Sequence, residues 1–149
     1  MKMIQRIKHA FPALLIIQLT SCEYYYTDEL FNGFWQVTNI EHRSSGNTFH
    51  PDGEAYYAFQ RHMIQLSHID ADKIAGDEPT CYLSYFTHEG DSLHTGIFRV
   101  YHEEDLIAPL TELKKFGIYN QETSFMIEET KNNRIILTSD SATITLRKY

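Results

Sequence analysis

Ser124-Phe125-Met126-Ile127-Glu128-Glu129-Thr130, then Arg134-Ile135-Ile136-Leu137-Thr138, then Ala142-Thr143-Ile144-Thr145-Leu146-Arg147-Lys148: these three runs at the end of the chain decide its fold class. Each is rich in β-branched or aromatic residues and alternates with period two rather than 3.6, the pattern of a half-buried strand. Between them stand Lys131-Asn132-Asn133 and Ser139-Asp140-Ser141, residue types that close turns. The spacing predicts an antiparallel meander in which Ile144 and Leu146 share one face of the last strand and Arg147 lies on the other.

The same period continues upstream. It predicts further strands over Phe34 to His42, Glu54 to Gln60, His62 to His68, Thr80 to His88 and Gly96 to Tyr101, which with the last three makes eight. Turn chemistry falls between them at Ser44-Ser45-Gly46-Asn47, Pro51-Asp52-Gly53, Gly76-Asp77-Glu78-Pro79 and Glu89-Gly90-Asp91. One segment breaks the pattern. Leu110, Leu113 and Phe116 recur at helical spacing, with Pro109 at the start and Gly117 at the stop, so residues 110–117 read as a short helix or turn able to lid one end of a barrel. Eight antiparallel strands in one small domain must close or split into two sheets, because open edges recruit other strands. The expected fold is all-β, an eight-stranded up-and-down barrel over residues 33–149, whose interior is just wide enough for side chains or one small ligand.

Composition narrows the partners. The 149 residues carry 13 Lys plus Arg against 20 Asp plus Glu, a net charge of −7, and hydrophobic residues make up 42%, too many for a disordered chain. Such an acidic balance disfavours nucleic acid, whose phosphates are held by clustered basic residues. The first 21 residues hold Lys2, Arg6 and Lys8 but no acid; without them the chain has 10 basic and 20 acidic residues, net −10.

That basic head precedes an apolar run, Ala10 to Leu19 broken only by Gln18, which is too short to span a bilayer and has the layout of an export signal. The closing Leu19-Thr20-Ser21-Cys22 resembles the lipobox of bacterial lipoproteins. The resemblance implies that residues 1–21 are removed, that Cys22 receives diacylglycerol and a further acyl chain such as palmitate, and that residues 22–32 tether the domain to a membrane. It implies a cell-envelope location, with the outer membrane as the anchoring membrane and its periplasmic or outward face open. Two acyl chains hold a protein stably where one holds it reversibly. The only other cysteine, Cys81, lies in an apolar run and reads as a buried free thiol.

Gly33-Phe34-Trp35 resembles the Gly-x-Trp signature of lipocalins, and the three C-terminal runs resemble the closing strands of small lipocalin-like lipoproteins of gut bacteria. The likeness covers residues 33–149 and implies that Trp35, the single tryptophan, plugs one end of the barrel, with Arg147 as the basic residue packed on it. The disulfide pair and long helix of larger lipocalins are missing from the pattern. Alternation gives Val37, Tyr57, Phe59, Ile64, Leu66, Tyr82, Phe86, Phe98 and Val100 as inward residues, to line a ligand cavity together with Trp35 or to fill a solid core.

Catalytic chemistry finds little support. The histidines His42, His50, His62, His68, His88, His94 and His102 have no recognised metal spacing, although His88 with His94, and His62 with His68, are pairs that strands could bring to one face. Asp70 with Asp72, Glu103-Glu104-Asp105 and Glu128-Glu129 read as solvated acids, and there is no nucleophile elbow or phosphate loop. No cofactor and no metal is expected. Asp91-Ser92-Leu93 and Asp140-Ser141-Ala142 resemble a short O-glycosylation pattern of exported bacterial proteins. The sequence thus points to a lipid-anchored, non-catalytic envelope protein. It either binds a small hydrophobic or amphipathic ligand in the barrel, or has a filled barrel and engages a protein through its loops, as an assembly component or an inhibitor of a wall-degrading enzyme.

Overall fold

The structure, a computed structural model, describes residues 29–51, 54–69, 80–131 and 133–149. The leader, Cys22, the tether before Glu29, most of Pro51-Asp52-Gly53, the Asp70/Asp72 pair, the turn at 76–79 and Asn132 lie outside the described residues.

The strands are β1 (Gly33–His42), β2 (Thr48–Phe49), β3 (Glu54–Gln60), β4 (Met63–Ile69), β5 (Thr80–Glu89), β6 (Ser92–Thr95), β7 (Arg99–Val100), β8 (Glu103–Ile107), β9 (Thr123–Lys131), β10 (Arg134–Thr138) and β11 (Ala142–Lys148). Helix α1 (Leu110–Leu113) runs into a 3-10 turn at Lys114–Phe116. Antiparallel pairing links β1, β3, β4, β5, β6, β9, β10 and β11 in that order, and β11 pairs back on β1. The ring closes with eight strands.

Two bulges adjust its curvature. Val37 pairs with Leu146 but Asn39 pairs with Thr145, so Thr38 is an extra residue on β1, and its hydroxyl donates to the Thr145 carbonyl at 3.1 Å. The extra residue resets alternation, which is why Trp35, Val37 and then Ile40 all point inward. A second irregularity on β9 lies where Ile136 faces Glu129 and Leu137 faces Ile127.

Three parts of the wall differ from the sequence expectation. The strand expected at Gly96 to Tyr101 starts earlier, at Ser92, because Gly90 has φ +60° and lets Glu89 pair directly with Ser92. Residues 96–98 interrupt it, and the chain returns to strand geometry at Arg99. Glu103–Ile107, where no strand was expected, is the strand β8, which folds back on β7 in a ribbon and keeps the acids Glu103 and Asp105 exposed. The strand expected from His62 begins at Met63, since Arg61, with φ +58°, places His62 in the turn. Cys81 is a fourth correction: it is on the outward side of β5, half-buried beside Ser67, because inward-facing Tyr82 and Ser84 set the opposite phase.

The expected short helix is present, and it lids the barrel. Pro109 sits at the N-cap of α1, its carbonyl accepting from Glu112 and Leu113 N–H, and Gly117 ends the 3-10 turn with φ +81°. A Cβ on Gly117 would stand 2.7 Å from Ile144 Cγ1, so both the backbone angle and the space require glycine. Behind it Phe116 drops into the barrel mouth.

Candidate functional site

Among the described residues, packed side chains line the interior from one end to the other. Trp35, Val37, Tyr57, Phe59, Ile64, Leu66, Tyr82, Phe86 and Phe98 are buried, and Val100 is half-buried against them. Ile40, Leu93, Phe125, Ile135, Leu137, Ile144 and Leu146 complete the core.

At one end the Phe31 ring is fully buried, 4.9 Å from the Phe59 ring and 6.2 Å from Phe86. Trp35 fixes it there, its indole N–H donating to the Phe31 carbonyl at 2.6 Å. At the other end Phe116 packs edge-on against Tyr57, Tyr82 and His68, and the Tyr57 hydroxyl donates to the Phe116 carbonyl at 2.7 Å. Tyr119 continues the lid, with its hydroxyl 2.7 Å from His42 Nε2 at the end of β1. Burial pushes the Tyr57 and Tyr119 hydroxyls above the ordinary phenol range. The Tyr82 phenol is pushed up to about 12, first by burial and then by the Glu112 carboxylate of the lid.

The cation over Trp35 is Lys148, not Arg147. Lys148 Nζ lies 5.3 Å from the ring, whereas Arg147 is exposed and donates from Nη2 to the Gln36 amide oxygen at 2.8 Å. Alternation accounts for Arg147: it follows inward Leu146 and faces solvent. Lys148 is also exposed, but it pairs directly with Trp35 in the register, and its long stem reaches the ring at the barrel rim.

The histidines are dispersed. His94 pairs with Thr87 on the outer side and shares a hydrogen bond with Ser124, while His88 pairs with Leu93 and turns to the Phe31 ring. Because these two sit on opposite faces of the hairpin, they do not converge. His62 is exposed in its turn and His68 is buried at the far end of β4. Among the described residues no three His, Cys, Asp or Glu side chains come together as a metal-binding group. Ser92 is held in β6 between Glu89 and Met126, and Ser141 lies in the β10–β11 turn.

Two concavities of the described surface lie outside this core. A smaller one of about 240 Å³ lies at the Phe31 end beside Arg61, His62 and His88. The larger, about 460 Å³, is a groove on the outer wall. One rung of the sheet forms its base, with Phe34 paired to Ala58, Ala58 to Gln65, and Gln65 to Leu83 across β1, β3, β4 and β5. The hairpin residues Gln60 and Met63 line one part, and Tyr101, in the turn between β7 and β8, adds an aromatic side chain. Phe34 is 56% exposed and Tyr101 47%. This groove was not anticipated from the sequence. Its signal was the apolar residue at outward positions, Phe34 next to inward Trp35 and Leu83 next to inward Tyr82.

A family described as a lipocalin-like domain matches residues 17–149. The chain belongs to that lipocalin-like family. Two solved structures share its architecture: a lipocalin-like protein from Bacteroides uniformis (14% identity, TM-score 0.58) and an uncharacterized protein from Bacteroides eggerthii (17% identity, TM-score 0.60). Each comparison covers 80% of this chain and 99% of the other. At that identity the likeness is one of fold. No curated protein matches this lipocalin-like chain. The lipocalin-like barrel is a fold of the ligand-binding type, generally non-enzymatic.

Proposed function

We propose that this lipocalin-like protein is a non-catalytic binding protein of the cell envelope, held to the outer membrane by lipid on Cys22, that works with the outside of a filled barrel. One observation carries the reading. Phe31 and Phe116 are buried at the two ends of a core of packed aromatic and aliphatic side chains, while the described groove of about 460 Å³ is on the outer wall. A small hydrophobic ligand in the barrel would have to displace Phe116 and break the hydrogen bond between Tyr57 and the Phe116 carbonyl. The protein-interaction alternative shares the filled barrel, and differs in assigning recognition to the loops.

Trp35 is the single tryptophan and is buried in the core, so its emission reports on the interior. Titration with a series of fatty acids should leave that emission unchanged. A saturable change at micromolar concentration would overturn the filled-barrel reading. For the anchor, Cys22→Ser should move the protein from the membrane to the soluble fraction; unchanged partitioning would remove the lipid.

A further inference from the structure

We infer that the outer-wall groove is a binding site for a neutral glycan chain, with Phe34 and Tyr101 as stacking residues and Asn32, Gln60 and Gln65 as hydrogen-bonding partners. This deepens the reading that the protein binds with the outside of its barrel, and rests on it.

The first argument is charge. In a chain with 22% charged residues, none of the side chains lining the groove among the described residues is charged. Arg99, the next residue along the Phe34–Leu83 rung, stays outside the lining. An ionic ligand would lose hydration there and gain no counter-charge, so the ligand class is neutral.

The second is the mixture of surfaces. Two exposed aromatic rings and the small side chain of Ala58 offer flat apolar area, while the carboxamides of Asn32 and Gln60 bring donors and acceptors and Gln65, whose Nε2 is engaged by Ser67 and Cys81, brings its carbonyl oxygen. A pyranose presents the complement, apolar C–H faces ringed by hydroxyls. An aliphatic chain would fit the rings but strip water from the Asn32 and Gln60 amides and the Gln65 carbonyl oxygen without replacing it, which is costly. An extended peptide would look for a free strand edge, but β1, β3, β4 and β5 are each paired on both sides.

The third is preorganisation and size. The Phe34 carbonyl accepts from Tyr149 N–H at 3.0 Å, and Tyr101 N–H donates to the Cys81 carbonyl at 3.0 Å, so the backbone of both aromatics is pinned. The Gln65 amide donates to Ser67 Oγ at 2.9 Å, which holds its side chain over the rung. Four strands at about 4.8 Å spacing give the rung a length of roughly 14 Å, enough for a short run of sugar rings. The 460 Å³ volume falls within the usual range of small-ligand sites.

The test is calorimetric titration of the full mature protein with neutral oligosaccharides of three to six units (gluco-, manno- and N-acetylglucosamine series), beside uronic-acid oligomers and dodecanol. At least one neutral series should bind, and Phe34→Ala and Tyr101→Ala should each weaken it tenfold or more, with Met126→Ala, on an exposed site of β9, unchanged. Both aromatics are exposed, so the variants should keep the Trp35 emission of the parent. The inference is overturned if no neutral series binds, if binding survives the double variant, or if dodecanol or a uronic-acid series is preferred. Binding that emerges only after Tyr24, Tyr25 and Tyr26 are replaced by Ser would also overturn it, because the groove would then be the seat of the tether. None of these outcomes depends on Trp35 responding to fatty acids, so failure of the glycan site and failure of the filled barrel remain separate results.

Discussion

Lys148 Nζ stands 5.3 Å from the centre of the Trp35 ring, and the two residues are direct partners in the β1–β11 register. The contact ties the last strand to the first at the rim where the barrel closes. A cation over an indole at an exposed site contributes about 0.5–1 kcal/mol. Lys148→Gln should therefore lower the unfolding free energy by roughly that amount, and Arg147→Gln by less, since its partner is the exposed Gln36 amide. Urea denaturation of the two variants in parallel checks the order; an equal loss would mean that the cation over the ring adds nothing.

Trp35→Phe should cost more than either. It keeps most of the apolar area but removes the indole N–H, leaving the Phe31 carbonyl without that donor at the closed end. Losing a buried hydrogen bond costs about 0.5–1.5 kcal/mol, and the smaller ring leaves part of the indole's volume unfilled. The variant should unfold at lower urea with the same dependence on denaturant, because the area exposed on unfolding is nearly unchanged.

Phe116→Ala should destabilise by about 3–5 kcal/mol, the usual range for deleting a buried phenylalanine. It should also hollow the mouth of the barrel between Tyr57, Tyr82 and His68. The measurable sign is a gain: binding of a small apolar probe that the parent protein does not take up. Gly117→Ala should be destabilising for another reason, the φ of +81° together with a Cβ forced against Ile144.

Alkaline pH should weaken the fold. The Tyr82 phenol is raised from 10.0 to about 12 in the folded protein, first by burial and then by Glu112. A raised folded-state value means that its contribution is complete below pH 10, where both states hold the proton, and is lost as pH climbs toward 12. Buried Tyr57 shifts in the same direction. Unfolding free energy should be level up to about pH 10 and then fall, and Tyr82→Phe should make the fall shallower in denaturation curves taken at pH 8 to 11.5.

The strands were legible because period-two patterning is a local property. β3, β10 and β11 lie where the alternation put them, and the lid at 110–117 was marked by Pro109, Gly117 and helical spacing. What escaped depended on partners. Ser92–Thr95 is short and polar, and only Leu93 and Thr95 facing the core reveal it as wall. β8 is a strand because β7 pairs with it, and its own residues carry no apolar face toward the core. The identity of the cation over Trp35 followed from register and stem length, neither of which alternation encodes. The groove was hidden for a related reason. Its residues come from separate strands and meet only after the ring closes, so no single run of sequence displays them together.

The β7–β8 ribbon ends in a strand, β8, whose outer side has no neighbour among the described strands. Such a border is where insoluble fibrils start, and here Glu103 and Asp105 sit on it while Leu106 and Ile107 are exposed beside them. The two carboxylates act as gatekeepers, repelling a second molecule that would otherwise stack along the ribbon. On the membrane-anchored reading proposed above, that repulsion would keep neighbouring copies apart.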